Sequence, residues 1–257
     1  MTCNDGWDAT SNCFIVIPAR LQSTRLPRKM LLRETGKSLL QHTFEAASKA
    51  RKAAGVCVAT DHGDIAAEVR RFRGQVQMTD PAAASGTDRV AEVAAAMPEV
   101  DIFVNVQGDE PEIEPAAIDH VIELLEHDPQ ADVATLATPI RDRAILLDPN
   151  CVKVVRDDHG RALYFSRGPV PYAREWSDAL LQRHPPIFLR HMGIYAYRRA
   201  VLLEMAKWPA ATLEDVEKLE QLRLLAAGRS IRVGLRDQAA LGIDTPEDYR
   251  AFVSRAA

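Results

Sequence analysis

The chain has 257 residues, enough for one large α/β domain or two small ones. Its 47% hydrophobic and 26% charged content is that of an ordinary globular protein. A net charge of −4 argues against nonspecific nucleic-acid binding, and no apolar run approaches the roughly 20 residues of a membrane span.

Residues 1–13 lack the basic start and apolar centre of a signal peptide and read as a disordered lead-in. The cysteines, Cys3, Cys13, Cys57 and Cys151, form no CxxC pair. That argues against a disulfide framework or a zinc site and for a reducing cytoplasm. Residues 14–18, FIVIP, are the first strand. Loop 19–29, ARLQSTRLPRK, follows with Arg20, Arg25, Arg28 and Lys29. Cations directly after the first strand of an α/β sheet are placed to grip phosphates. The plain alternative is a solvated basic loop. No GxxxxGK[ST] is present, so side chains must grip more than backbone N–H groups do.

Helical periodicity runs over 39–54, with Gly55 as the stop. A strand at 56–59, a helix at 64–73 and a strand at 75–79 follow. This β-α-β-α-β alternation predicts a parallel sheet with covering helices. Residues 80–89, DPAAASGTDR, lead into a helix at about Thr87. Ser85, Gly86 and the helix N-terminus suit an anion, with Arg89 in the first turn. The same SGT reads equally well as a plain N-cap.

The central stretch is 101–111, DIFVNVQGDEP, a buried strand that ends on a carboxylate. Asp109 and Glu110 project past its C-terminal end, where ligands bind in open α/β sheets. A carboxylate there suggests Mg²⁺ and a phosphorylated substrate, since Mg²⁺ takes one or two carboxylates plus phosphate oxygens. Otherwise Asp109 caps the next helix, before Pro115.

A helix at 115–126 and a strand at 132–138 continue the alternation. The rhythm then changes. A hairpin at 152–165 marks a smaller antiparallel insertion, about 140–190, suited to dimer contacts or a substrate wall. Strand 189–197, LRHMGIYAY, puts His191, Gly193, Tyr195 and Tyr197 on one face. A histidine there reads first as a hydrogen-bonded core group. One helix is expected over 213–226 and a strand over 231–235. Residues 241–248, LGIDTPED, end an extended piece on Asp244, a second sheet-edge carboxylate or an ordinary N-cap.

Eleven motifs stand in order: IPAR (17–20), STRLPRK (23–29), ATDH (59–62), SGTDR (85–89), NVQGDEP (105–111), ATLATPI (134–140), VKVV (152–155), ALYFSR (162–167), RHMGIYAY (190–197), LEQLR (219–223) and GIDTPEDY (242–249). Together they resemble the 3-deoxy-manno-octulosonate (Kdo) cytidylyltransferase family over about 14–253. The resemblance implies a single α/β domain over 14–257. Its sheet would be Rossmann-like and mostly parallel, of the nucleotidyltransferase type, with the antiparallel insertion. It implies a cytoplasmic, homodimeric enzyme that joins CTP to Kdo for lipopolysaccharide biosynthesis, releasing pyrophosphate. It further implies Mg²⁺ on Asp109 and Asp244, and the triphosphate on Arg20, Arg25 and Lys29. Ser85 and Arg89 would belong to the nucleotide loop. Gln107, Arg167, His191, Glu220 and Gln221 would line the sugar pocket, with Arg167 on the sugar carboxylate. The family loop usually reads close to RLPGKPL; Arg28 and Met30 here replace its Gly and Pro.

Other readings stay open. The same chemistry could act on an 8-amino Kdo analogue or a phosphonoformate-like metabolite. A metal-dependent glycosyltransferase would favour a DxD pair, where this chain has Gly108-Asp109-Glu110. A non-catalytic sugar-nucleotide binder would be expected to lack Asp109 or Asp244.

Overall fold

The computed structural model describes residues 12–238 and 241–256. Of the expected lead-in, residues 1–11 lie outside the described residues. Cys13 already belongs to the first strand, and the carbonyl of Asn12 accepts N–H bonds from Asp101 and Ile102.

The parallel half of the sheet is built from β1 (Cys13–Pro18), β2 (Val56–Thr60), β3 (Gln75–Met78) and β4 (Ile102–Asn105). Its other half holds β5 (Val133–Pro139), β8 (Leu189–Arg198) and β9 (Ile231–Leu235), in the order β3-β2-β1-β4-β8-β5-β9. Strand β8 runs antiparallel to both β4 and β5, while β9 is parallel to β5. The expected hairpin is β6 (Lys153–Arg156) and β7 (Ala162–Ser166), paired antiparallel and joined to β8 at Lys153 and Arg190. The fold is α/β with a mostly parallel sheet and antiparallel strands, as expected.

Alternation along β1 shows why the sheet is covered on both faces. Phe14 and Val16 join one core, with α3 (Gly86–Ala96), α6 (Arg199–Met205) and α8 (Gln221–Ala226) over it. Ile15 and Ile17 join the other, under α1 (Leu39–Ala47), α2 (Gly63–Arg71) and α4 (Pro115–His127). Each such fully buried side chain stabilises the fold by about 1.5–3 kcal/mol. A short α5 (Arg143–Leu147) lies in the insertion, and α9 (Pro246–Ala256) closes the chain against Leu26 and Leu39.

Two helices differ from the sequence expectation. Helix α1 stops at Ala47, not 54: the Ser48 hydroxyl bonds back to the Phe44 carbonyl, and Ala54 instead bonds to the Cys13 carbonyl. The helix expected over 213–226 is two, α7 (Thr212–Glu217) and α8, broken at Lys218 in the left-handed region (φ 53°). The break is held from outside. The Arg167 guanidinium donates to the carbonyls of Glu217 and Lys218, and the Glu217 carboxylate accepts from Ser166 Oγ and Arg167 N–H.

Candidate active site at the sheet edge

Strand β4 delivers Asp109 past its C-terminal end, and the backbone around it is fixed on both sides. Thr43 Oγ1 of α1 donates to the Gly108 carbonyl at 2.9 Å, and Ile243 N–H donates to the Asp109 carbonyl at 2.9 Å. Gly108 lies in close quarters here: a Cβ would be 3.2 Å from Met30 Sδ and 3.2 Å from the Pro18 carbonyl. Met30, where the family pattern has proline, packs directly over that glycine.

The Ile243 bond also brings Asp244 alongside Asp109. Neither carboxylate caps a helix. Glu114 is the N-cap residue of α4, and Asp248 supplies the acceptor for the Asp244 and Thr245 N–H groups at the start of α9. Both turn instead to Lys29, whose ammonium lies 2.5 Å from Asp109 Oδ2, 3.0 Å from Asp244 Oδ1 and 3.1 Å from the Ile243 carbonyl. Arg25 pairs with the other oxygen of Asp244 at 3.0 Å. Burial alone would lower the Lys29 pKa; Asp109 and Asp244 outweigh it and raise it.

Two carboxylates sharing one cation are a donor set that suits Mg²⁺ completed by phosphate oxygens. Lys29 is the stand-in ion that shows the two can converge on a positive charge. No group of three or more His, Cys, Asp or Glu side chains suited to a metal occurs among the described residues, so phosphate and water would have to supply the remaining ligands.

The other expected phosphate contacts are distributed differently. Arg20 is exposed and reaches across to the Ala83 carbonyl at 3.3 Å, tying the first loop to the 80–89 loop. Arg28 pairs with Asp64 on α2, not with the carboxylates. Its φ of 56° explains the glycine of the family pattern, because the position is left-handed. Ser85 is the N-cap of α3: its Oγ accepts from Asp88 N–H, and Asp88 returns a bond to the Ser85 N–H. Arg89, expected in the nucleotide loop, points back at that loop and braces it. It is 1% exposed, donates to Thr79 Oγ1 and the Asp80 carbonyl, and pairs with Asp61.

On the sugar side, Gln107 donates weakly to the Gly193 carbonyl at 3.3 Å. Gly193 leaves room there: a Cβ would come 3.7 Å from Gln107 and 3.6 Å from Glu110 Oε1. Glu110, carried with Asp109, has its pKa pushed up to about 8 by burial and then by the Asp109 charge, with Arg190 opposing. His191 bonds Thr135 Oγ1 and packs edge-on against Phe165; burial holds its pKa down at about 3. It is a neutral core group, as the strand position suggested. Gln221 is buried, and Glu220 accepts from Thr87 Oγ1.

Arg167 requires a correction. It is not free to take a carboxylate bidentately, because its guanidinium donates to the carbonyls of Pro149, Glu217 and Lys218. Releasing it would take its guanidinium donors from the Glu217 and Lys218 carbonyls. Sequence reading missed Thr87, and also Lys153, which is fully buried and donates to the carbonyls of Asp148, Cys151 and Arg167. The VKVV motif carried the only signal for Lys153, a lysine inside an apolar strand.

A family model described as cytidylyltransferase matches residues 14–231. A 3-deoxy-manno-octulosonate cytidylyltransferase of Rhodopirellula baltica is 53% identical, covering 95% of this chain and 98% of its own. The chain belongs to this family.

The cytidylyltransferase family resemblance read from the motifs is thereby borne out. A relative of the same name from Geobacter sulfurreducens is 46% identical over 95% of this chain and 99% of its own. An 8-amino-3,8-dideoxy-manno-octulosonate cytidylyltransferase of Shewanella woodyi is 43% identical over 96% and 99%. A solved structure of CMP:2-keto-3-deoxy-manno-octonic acid synthetase complexed with CTP superposes with a TM-score of 0.88. It is 42% identical and covers 96% of this chain and 100% of that one. A cytidylyltransferase of Leptospira borgpetersenii, 17% identical with a TM-score of 0.60, shares the fold.

Proposed function

We propose that this chain is the cytidylyltransferase that joins CTP to 3-deoxy-D-manno-octulosonate, giving CMP-Kdo and pyrophosphate. The observation that carries the reading is the convergence of Asp109 and Asp244 on one cation at the sheet edge, within a family named for this reaction. The acceptor's anomeric hydroxyl oxygen forms a bond to the α-phosphorus and loses its proton. The bond from that phosphorus to the bridging oxygen breaks, and pyrophosphate leaves.

The protein's share is positioning and charge. Arg20, Arg25 and Lys29 hold the triphosphate and offset the charge on the leaving group. Losing one such preorganised donor costs on the order of 3 kcal/mol, about a hundredfold in rate. Asp109 and Asp244 would hold Mg²⁺, and the chemistry that ion would supply is neutralisation of phosphate charge and acidification of the attacking hydroxyl. Gln107, Glu220 and Gln221 orient the acceptor. His191, held by Thr135 and packed on Phe165, has no proton-transfer role.

Kdo is favoured over the alternative acceptors, because the relatives named for it are 53% and 46% identical against 43% for the one named for the 8-amino analogue. The product feeds lipopolysaccharide biosynthesis, and the enzyme works in the cytoplasm. It works as a homodimer, an inference supported by Leu147, Leu163, Tyr172 and Trp176, apolar side chains exposed within the insertion. Among the described residues no helix is long and apolar enough to cross a membrane.

The test is pyrophosphate release with CTP, Kdo and Mg²⁺, beside parallel reactions with other acceptors and nucleotides. Release only with CTP and Kdo supports the reading. Release with a different acid alone overturns the acceptor. A gel-filtration mass near the 28.4 kDa of one chain overturns the dimer.

A further inference from the structure

Thr87 joins the two halves of the site through one hydroxyl. It lies in the first turn of α3, directly after Ser85 and Gly86, and is 5% exposed. Its Oγ1 donates to Glu220 Oε2 at 2.7 Å, across 133 residues of sequence. A threonine hydroxyl has one proton, and Glu220 takes it, so the bond fixes both that proton and the carboxylate.

Glu220 needs such a fixture. It stands at the junction between α7 and α8, after the left-handed Lys218, where neither helix holds its side chain. Its second oxygen, Oε1, is buried without a hydrogen-bond partner. A buried carboxylate oxygen left unpaired is costly, and one reserved for a ligand hydroxyl regains its bond only when that ligand arrives.

We propose that Thr87 is a positioning residue for the acceptor: its hydroxyl holds one oxygen of Glu220 so that the other is presented to an acceptor hydroxyl. The helix that follows the nucleotide loop thereby sets the geometry of the sugar pocket. This rests on Glu220 being an acceptor contact.

The experiment is steady-state kinetics with CTP, Kdo and Mg²⁺ on Thr87→Val, Thr87→Ala, Thr87→Ser and Glu220→Gln, with melting temperatures alongside. Thr87→Val and Thr87→Ala raise the KM for Kdo about tenfold and leave the KM for CTP within about twofold. Thr87→Ser restores the KM for Kdo. Glu220→Gln raises it too, and adding Thr87→Val to Glu220→Gln does little more. An unchanged KM for Kdo in Glu220→Gln overturns the pocket assignment on which the proposal stands. A raised KM in Glu220→Gln with no change in Thr87→Ala, or no recovery in Thr87→Ser, overturns the positioning role alone. So does a fall in kcat with both KM values unchanged. If Thr87→Val does not fold, Thr87→Ala and Thr87→Ser decide.

Discussion

Lys29 Nζ is shared between Asp109 and Asp244, 2.5 Å from one carboxylate and 3.0 Å from the other, at a position 9% exposed. The ammonium therefore competes with any divalent cation for both ligands. Without nucleotide, Mg²⁺ is expected to raise the melting temperature of the wild type very little. Lys29→Met removes the competitor and is expected to gain a clear Mg²⁺-dependent rise, equivalent to about 2.7 kcal/mol at a hundredfold excess over Kd. Its turnover falls about a hundredfold, because the same ammonium is needed on the phosphates. Equal Mg²⁺ responses in the two proteins would show that Lys29 is no competitor.

Asp109 should be dispensable for folding and indispensable for turnover. Its backbone is held by Thr43 and Ile243 whatever its side chain does. Asp109→Ala is expected to abolish pyrophosphate release while keeping a native circular-dichroism spectrum. Full activity in that variant would sink the metal assignment.

Arg28 occupies a left-handed position at φ 56°. That conformation costs an L-residue about 1–2 kcal/mol, while its exposed pair with Asp64 contributes about 0–1 kcal/mol. Arg28→Gly removes both, and glycine's greater loss of chain freedom takes back part of the gain. The expected result in urea denaturation lies between no change and about 1 kcal/mol of stabilisation. A clear loss of stability would mean that the pair with Asp64 outweighs the backbone strain.

His191 contributes a pH dependence of known sign. The unfolded chain protonates it below its ordinary 6.5, whereas the folded protein resists until about 3. Its stabilising contribution is full above pH 6.5 and is lost as pH falls towards 3. The stability of His191→Asn is expected to fall less steeply than that of wild type over this range. The wild-type pH–rate profile should show no step from His191 between pH 5 and 8. Parallel acid limbs in the two stability curves would count against a neutral buried imidazole.

Lys153 is a buried cation whose partners are carbonyls rather than a carboxylate. Burial lowers its pKa, and three carbonyl oxygens receive its protons. Lys153→Met keeps the aliphatic volume but orphans those oxygens. It is expected to destabilise the fold by about 3 kcal/mol. A change under about 1 kcal/mol would mean that water takes over the three bonds.

Much of the architecture was legible because periodicity encodes burial. The apolar runs of β1 and β4 and the proline at the start of α4 each predicted an observed element. The pair Asp109 and Asp244 was legible only through the resemblance, since Asp109 alone reads equally as a helix cap and Asp244 alone reads first as one. What could not be read were competing partners. Nothing in ALYFSR says that Arg167 must brace the end of α7, and nothing in SGTDR says that Arg89 will be taken by Thr79, Asp80 and Asp61. The break at Lys218 was hidden for the same reason. The three-residue spacing of Leu213, Val216, Leu219 and Leu222 continues across it, while the groups that end the helix come from Ser166 and Arg167, about 50 positions away.

The reversed direction of β8 has one more consequence. The nucleotide side of the site is carried on loops that follow strands, and such loops can lengthen or shorten without disturbing the sheet. On the proposed assignment the sugar side is carried partly on His191 and Gly193, inside a strand bonded to β5 along one edge and to β4 over Tyr195 to Arg198 on the other. The β5–β8 register already shifts once there, between Thr135 and Leu136, and one further inserted residue would flip every later side chain to the wrong face. Relatives that accept different sugars should therefore differ at this wall by exchange of side chains at fixed length, while their nucleotide loops remain free to vary in size.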